Sequence, residues 1–289
     1  MDEDALTMLY ILPMETGRRL GLLLVVALHS LAAPGCQKVE ARSLAKQGNE
    51  LYRAGKFDQA LGKFEAAVRL DPQHPLLQLH LGYAAMSLAA QTEGPTSAGF
   101  SDRASKAFAR YMKLAPEDER GPKFYLQVLL DAGQLKQALR FLEQQHRQNP
   151  GDLRVVSSLG MVASKAGDFA GALKWYEKRA ALLPSEPTAR YLVGTLCWEH
   201  LYKNTGVVGA ERVKIADRGI AALERALELQ PGYAEAMTYI NLLYRERAKG
   251  HSDDAARERD MEQARRYYQR ALELLKQPKK PERQPKGRK

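Results

Sequence analysis

The residues able to do acid–base, nucleophilic or metal chemistry are few and scattered. The six histidines, His29, His74, His80, His146, His200 and His251, form no H-E-x-x-H pair and no other helical ligand spacing. Cys197 and His200 make a single C-x-x-H, which supplies at most half of a metal site; a buried thiol beside a surface imidazole is the simpler reading. There is no Gly-rich phosphate loop, no G-x-S-x-G elbow and no dinucleotide fingerprint. Asp253, Asp254, Glu258 and Asp260 lie among arginines, the pattern of a solvated helix face with ion pairs. The expectation is therefore a protein that is not an enzyme, with no catalytic residue, no metal and no cofactor. One reactive position remains, Cys36, and its chemistry depends on the residues before it.

The elements that carry these residues are set by proline. Pro72, Pro116, Pro150, Pro184 and Pro231 each close a similar segment, and two of the four intervals are 34 residues. In the first segment Phe57, Ala60, Leu61, Phe64, Ala67 and Val68 fall at helical spacing on one stripe. Gly48 and Ala60 are small enough for two helices to approach closely, and Pro72 stops the second helix. The fourth segment repeats the pattern with Leu159-Gly160, Gly167, Phe169, Ala172, Tyr176 and Pro184. The third keeps Gly133, Ala138, Leu142 and Pro150 but has Leu126 at the Gly place.

This pattern resembles the tetratricopeptide repeat, a 34-residue helical hairpin. The resemblance implies an all-α, right-handed superhelical solenoid of antiparallel helix pairs. About six repeats are expected, at 41–74, 75–118, 119–152, 153–186, 187–233 and 234–275, preceded by a short linker at 36–40. The second, fifth and sixth are longer than 34 residues. Their extra residues, such as QTEGPTSAG at 91–99, fall between the paired helices and either reflect drift in a tolerant loop or add a binding lip.

Residues 14–36 read METGRRLGLLLVVALHSLAAPGC, in which Arg18 and Arg19 precede a short apolar run that is too brief to span a bilayer. Residues 1–35 are read as an export signal, with Met14 a plausible true start. Its end resembles a bacterial lipoprotein signal: Gly35 and Cys36 match, whereas Ala33 and Pro34 depart from it. The resemblance implies lipidation of Cys36 and a membrane-anchored envelope protein facing the periplasm, more readily on the outer than the inner membrane.

The formal net charge of +10 is unevenly spread. Residues 276–289, KQPKKPERQPKGRK, hold seven Lys or Arg and one Glu. They are expected to form a disordered basic tail, with Lys279, Lys280, Arg283, Lys286, Arg288 and Lys289 available for weak contact with anionic lipid or cell wall. The remainder is mildly basic and has no nucleic-acid-binding motif, so no nucleic acid partner is expected.

In the repeat family the first helix of each hairpin lines a concave binding face. Carried onto this sequence, the family's inward places give Asn49, Tyr52, Arg53, His80, Tyr83, Phe124, Gln127, Met161, Lys165, Tyr191, Trp198 and Tyr239, with Arg42, Lys46 and Leu79 among their neighbours. A mixture of aromatic, amide and basic groups suits an extended peptide or a helix. Some relatives grip a C-terminal carboxylate through a Lys, Asn and Arg clamp; only Asn49 of that set is matched, with Ala45, His80 and Phe124 at the other places. The resulting expectation is a non-catalytic scaffold or adaptor, holding a protein or peptide segment of an envelope complex and tethered to membrane by its lipid. The alternatives are a periplasmic module that binds glycan or a small ligand, and a cytoplasmic regulatory scaffold.

Overall fold

The structure, a computed structural model, describes residues 34–276. It is all-α, with no strand among the described residues, and divides at Gly133 into two compact units. In the first, α1 (Pro34–Arg53) packs against α2 (Phe57–Leu70), α3 (Pro75–Gln91) against α4 (Gly94–Leu114), and α5 (Arg120–Asp131) against α4. The second begins with α6 (Leu135–Gln148). Three hairpins follow: α7 (Leu153–Lys165) with α8 (Phe169–Leu182), α9 (Pro187–Lys203) with α10 (Gly209–Leu229), and α11 (Ala234–Ala248) with α12 (Asp254–Lys276).

Five helix stops share a chemical cause. The five prolines stand two residues beyond the ends of α2, α4, α6, α8 and α10, where the missing N–H and the fixed φ prevent another turn. Starts are marked by Pro75 and Pro187 in the first turns of α3 and α9 and by side-chain caps. Asp152 accepts from Arg154 N at 2.8 Å, and Asp168 accepts from Gly171 N at 2.9 Å. Within the regular hairpins the turn needs a residue with positive φ, and Gly55 (φ 74°) and Gly167 (φ 75°) supply it.

The hairpins close through one recurring contact. A Cβ on Gly48 would lie 2.7 Å from Phe64 Cε1, on Gly82 2.6 Å from Phe108 Cε1, and on Gly160 2.6 Å from Tyr176 Cε1. Each glycine of a first helix thus receives a large side chain from its second helix, and Leu223 fills the same role against Gly194. Phe64 and Phe108 are fully buried as a result, each worth roughly 1.5–3 kcal/mol of apolar transfer. Ala60, Ala104 and Ala172, at the matching places of α2, α4 and α8, have no exposed surface; in α10 that place is taken by Gly219. Leu79 also joins this core at 1% exposure. It belongs to the packing rather than to the solvent-facing row suggested by its repeat position.

The extra residues of the long repeats become helix. The second helices α2, α6 and α8 have 14 residues each, whereas α4 and α10 have 21 and α12 has 23. Seven added residues are two turns, about 10 Å of additional height. The stretch at 94–99, which reads as a loop from its Gly, Pro and Ser content, is the start of α4: Pro95 sits in the first turn, and Ser97 Oγ donates to Ala89 O at 2.8 Å. Residues 36–40 are likewise helical rather than a linker. Pro34 opens α1, where a proline is pre-organised, and no glycine or proline interrupts residues 36–47.

In the second unit the extensions are pinned by buried charge. Arg212, at the start of α10, pairs with Glu246 near the end of α11, and each side chain is 6% exposed. Arg212 also donates to Val207 O at 2.7 Å and Asn204 O at 3.1 Å, fixing the α9–α10 connection. Asp260 is 3% exposed and accepts from Arg247. It contacts His251 at 3.0 Å. Asp260 therefore leaves the solvated face assigned to it by its arginine-rich surroundings. Its partners lie outside its own helix, a geometry that local charge pattern does not encode.

Candidate functional site

Two surfaces collect the expected binding residues, one in each unit. In the first unit Asn49 and Arg53 of α1 and His80 of α3 share a cleft of about 330 Å³ with Arg42, Lys46 and His74. Its floor is apolar, from Ala45, Leu76 and Leu77, and Glu50 is its one acidic lining residue. The His80 ring lies 5.5 Å from Phe64. Burial foremost, then Arg120 and His74, holds its pKa below the usual histidine range, so His80 is neutral at pH 7.

The other expected residues of this unit separate from that cleft. Tyr52 donates to or accepts from Ser87 at 3.0 Å, with its ring 5.0 Å from Phe57. Tyr83 and Phe124 meet edge to face at 4.8 Å and pack on Phe108, so these half-buried rings join α3, α4 and α5. Gln127 bonds Asp131 and lines a second cleft of about 390 Å³ with Met86, Ser97 and Ser101.

In the second unit Tyr191, Trp198 and Tyr239 come together. Tyr191 stacks on Tyr233 (5.1 Å) and meets Tyr239 edge to face (5.5 Å); Tyr239 meets Trp198 edge to face (5.3 Å); Trp198 stacks on Tyr202 (5.0 Å). Five rings thus form a continuous strip along α9 and the start of α11, in the elongated hairpins. Tyr202 is 64% exposed and the others are partly exposed. Burial, with Tyr239 and Tyr233 alongside, pushes the Tyr191 phenol up to about 12. Tyr191 is therefore uncharged across the physiological range, and the strip offers π-faces, perpendicular slots and phenolic hydrogen bonds. Met161 and Lys165 are exposed on α7 and take no part in these ring contacts.

Tyr202 was recoverable from the sequence, because Tyr191, Trp198 and Tyr202 are spaced by seven and four residues on one helix and must share a stripe. Tyr233 was not: it precedes α11, outside any helical period. Cys197 is fully buried and burial pushes its thiol up to about 12, so it is neither a ready nucleophile nor a ready ligand. Its C-x-x-H partner His200 stacks on Phe169 at 3.8 Å. Cys36 is exposed in the first turn of α1. Residues 1–33 of the expected export signal at 1–35, and the basic residues Lys279, Lys280, Arg283, Lys286, Arg288 and Lys289, lie outside the described residues. Among the described residues no helix is long and apolar enough to cross a membrane, and no group of three or more metal-ligating side chains occurs.

A pH prediction follows from the histidines. Burial lowers His80, His146 and His200, and Lys178, 3.0 Å from His146 Nε2, reinforces the effect at His146. Below about 6.5, the unfolded histidine value, the unfolded chain binds more protons than the folded one. Stability is then lost as pH falls from there toward the depressed folded values. The urea midpoint should decrease from pH 7.5 to pH 5.5, and a His80→Gln, His146→Gln, His200→Gln chain should lose most of that decrease.

Comparison with known proteins bears on the repeats. Tetratricopeptide-repeat family models match residues 45–93, 129–196 and 254–282. Protein FlbA of Caulobacter vibrioides is 26% identical over 132 residues, which is 46% of this chain and 20% of that protein. The chain thus matches about a fifth of the length of that relative. Among solved structures, MamA is 19% identical, covering 67% of this chain and 91% of its own, with a TM-score of 0.43. YrrB, described as a TPR protein with an unusual peptide-binding site, is 18% identical with 67% and 88% covered and a TM-score of 0.41. The C-terminal part of a repeat-containing protein from Cytophaga hutchinsonii is 16% identical with 80% and 78% covered and a TM-score of 0.48.

Proposed function

We propose that this chain, which is a tetratricopeptide-repeat protein, is a non-catalytic scaffold that grips an extended peptide segment of a partner on the aromatic strip of its second unit. The observation that carries the reading is the ring sequence Tyr233, Tyr191, Tyr239, Trp198, Tyr202, in contact over two helices and partly open to solvent. Rings held by their neighbours bind with little loss of side-chain freedom, and edge-to-face pairs leave slots for aliphatic or proline side chains. The cleft of the first unit, with Arg42, Lys46 and Arg53 in its lining, is a separate candidate surface for an acidic stretch.

We place the scaffold on a membrane of the bacterial envelope, through a lipid on Cys36. The support is the Arg18-Arg19 and apolar run that ends at Gly35-Cys36, together with the exposure of Cys36 at the start of α1. Cells producing the chain and a Cys36→Ala version would be fractionated and the intact masses taken. Cleavage before Cys36 with added acyl mass, absent from the variant, is the expected result. An unmodified soluble chain would withdraw the anchor and leave the cytoplasmic scaffold.

The binding reading is tested by titrating twelve-residue extended peptides, proline-containing or not, while following indole emission; the other tryptophan, Trp175, is buried. Micromolar binding that weakens ten- to hundredfold in Trp198→Ala is expected, the loss typical of a central aromatic anchor; the variant lacks the reporting indole, so its affinity is measured by isothermal titration calorimetry alongside the unchanged chain. A flat response to every peptide would overturn it. A response to cell-wall oligosaccharides alone would transfer the strip to the glycan-binding alternative, since sugars also pack on rings.

A further inference from the structure

We propose that the strip has a resident occupant, the chain's own residues 277–289, so that a partner must displace an internal proline segment in order to bind. The inference rests on the strip being a peptide-binding surface, and it adds what sits there first.

Three observations point to this segment. The first is its chemistry. Residues 277–289 read QPKKPERQPKGRK, in which Pro278 and Pro281 form P-x-x-P and Pro285 follows. A P-x-x-P segment is the ligand class that docks into aromatic-lined grooves, because its extended form is already restricted and its rings fit between aromatic side chains. The strip supplies such slots at Tyr191 against Tyr239 (83°) and Trp198 against Tyr239 (75°).

The second is position. Tyr267 stacks on Tyr244 at 5.9 Å, and Asp260 binds Arg247. α12 therefore runs antiparallel to α11, and continuing that pairing nine residues beyond Tyr267 carries Lys276 toward the start of α11, where Tyr233 stands. Crossing one helix layer takes about 10 Å. The strip from Tyr191 to Tyr202 is eleven residues of helix, about 16 Å. Thirteen extended residues reach about 40 Å at roughly 3.1 Å each, enough for both.

The third is charge. The segment holds six Lys or Arg against Glu282. The strip is flanked by exposed Glu235, whose field is felt at Tyr191 and Tyr233, and by exposed Glu199, which already pairs with Lys203. Basic residues flanking the prolines would meet the Glu235 carboxylate beside the rings.

The test uses the full chain. A photo-crosslinking residue is placed by Gln284→p-benzoylphenylalanine, and crosslinked peptides are mapped from the monomer band. Crosslinks to 187–203 or 233–248 are expected. In parallel a synthetic peptide of residues 276–289 is titrated against the unchanged chain and against a Pro278→Ser, Pro281→Ser, Pro285→Ser chain, read by Trp198 emission. A tethered segment competes at about millimolar effective concentration, so the triple variant should bind the peptide at least tenfold more tightly. Equal affinities, crosslinks elsewhere, or crosslinks confined to dimers would overturn the proposal. If other proline peptides still move Trp198 emission in both chains, only the internal occupancy fails; if no peptide does, the binding surface fails with it.

Discussion

Glu246→Ala should destabilise the second unit by about 3–5 kcal/mol, because it strands a buried arginine. Arg212 and Glu246 are each 6% exposed and pair across 34 residues of chain. Removing one member of such a pair leaves an uncompensated charge where water does not reach, which costs far more than the pair itself contributes. Lys249, 2.7 Å from Glu246, carries the same sign of charge as Arg212 and cannot compensate it once the carboxylate is gone. Urea denaturation followed by far-ultraviolet circular dichroism measures the loss. Replacing both members, Arg212→Met with Glu246→Leu, should recover most of it, since two apolar side chains demand no charge compensation. If Glu246→Ala costs less than about 1 kcal/mol, the pair is hydrated in solution and the pinning of the extended hairpins falls. Because the aromatic strip lies on these hairpins, the same variant should also weaken peptide binding at the strip.

The second large effect concerns the recurring glycine contact. Phe108→Ala should cost about 3–5 kcal/mol through lost burial and the cavity that remains. Gly82→Leu should cost about 3 kcal/mol for the opposite reason: even a Cβ there would stand 2.6 Å from the Phe108 ring, and overpacking of that order forces both helices to move. Since the two changes act on one volume, the double variant should be less destabilised than the two losses added together, by 1 kcal/mol or more. Simple additivity in the measured unfolding free energies would mean that the two side chains do not share the contact. Gly48 with Phe64 and Gly160 with Tyr176 should behave alike, since the geometry recurs.

These two sites differ in how far they could be read in advance. The glycine contact was legible because repetition supplies its own control. Gly48, Gly82, Gly160 and Gly194 recur at one place in the hairpin, and a large apolar residue recurs sixteen places later or beyond an insertion, so the close approach follows from residue size and period. The Arg212–Glu246 pair was not legible, because neither residue is unusual for its helix and the pairing depends on how two elongated helices overlap. The same limit applies to Asp260, whose neighbours in sequence are arginines but whose partners in space are Arg247 and His251.

The candidate site divides in the same way. Tyr191, Trp198 and Tyr239 could be placed on first helices from their repeat positions, whereas Tyr83 and Phe124, equally well placed by position, are taken up in ring packing around Phe108. By itself the sequence determined that the chain is helical, where each hairpin turns and stops, and which face of each helix is apolar. Those properties follow from proline geometry, glycine size and a 3.6-residue period, all of which act within a few residues. Only the tertiary structure decided that Tyr233 and Tyr202 complete a strip, that the inserted residues become two more helical turns, and that charges on separate helices are buried together. A helical period fixes the direction in which a side chain points, but what it meets is set by the offset of neighbouring helices, which comes from packing across the whole unit.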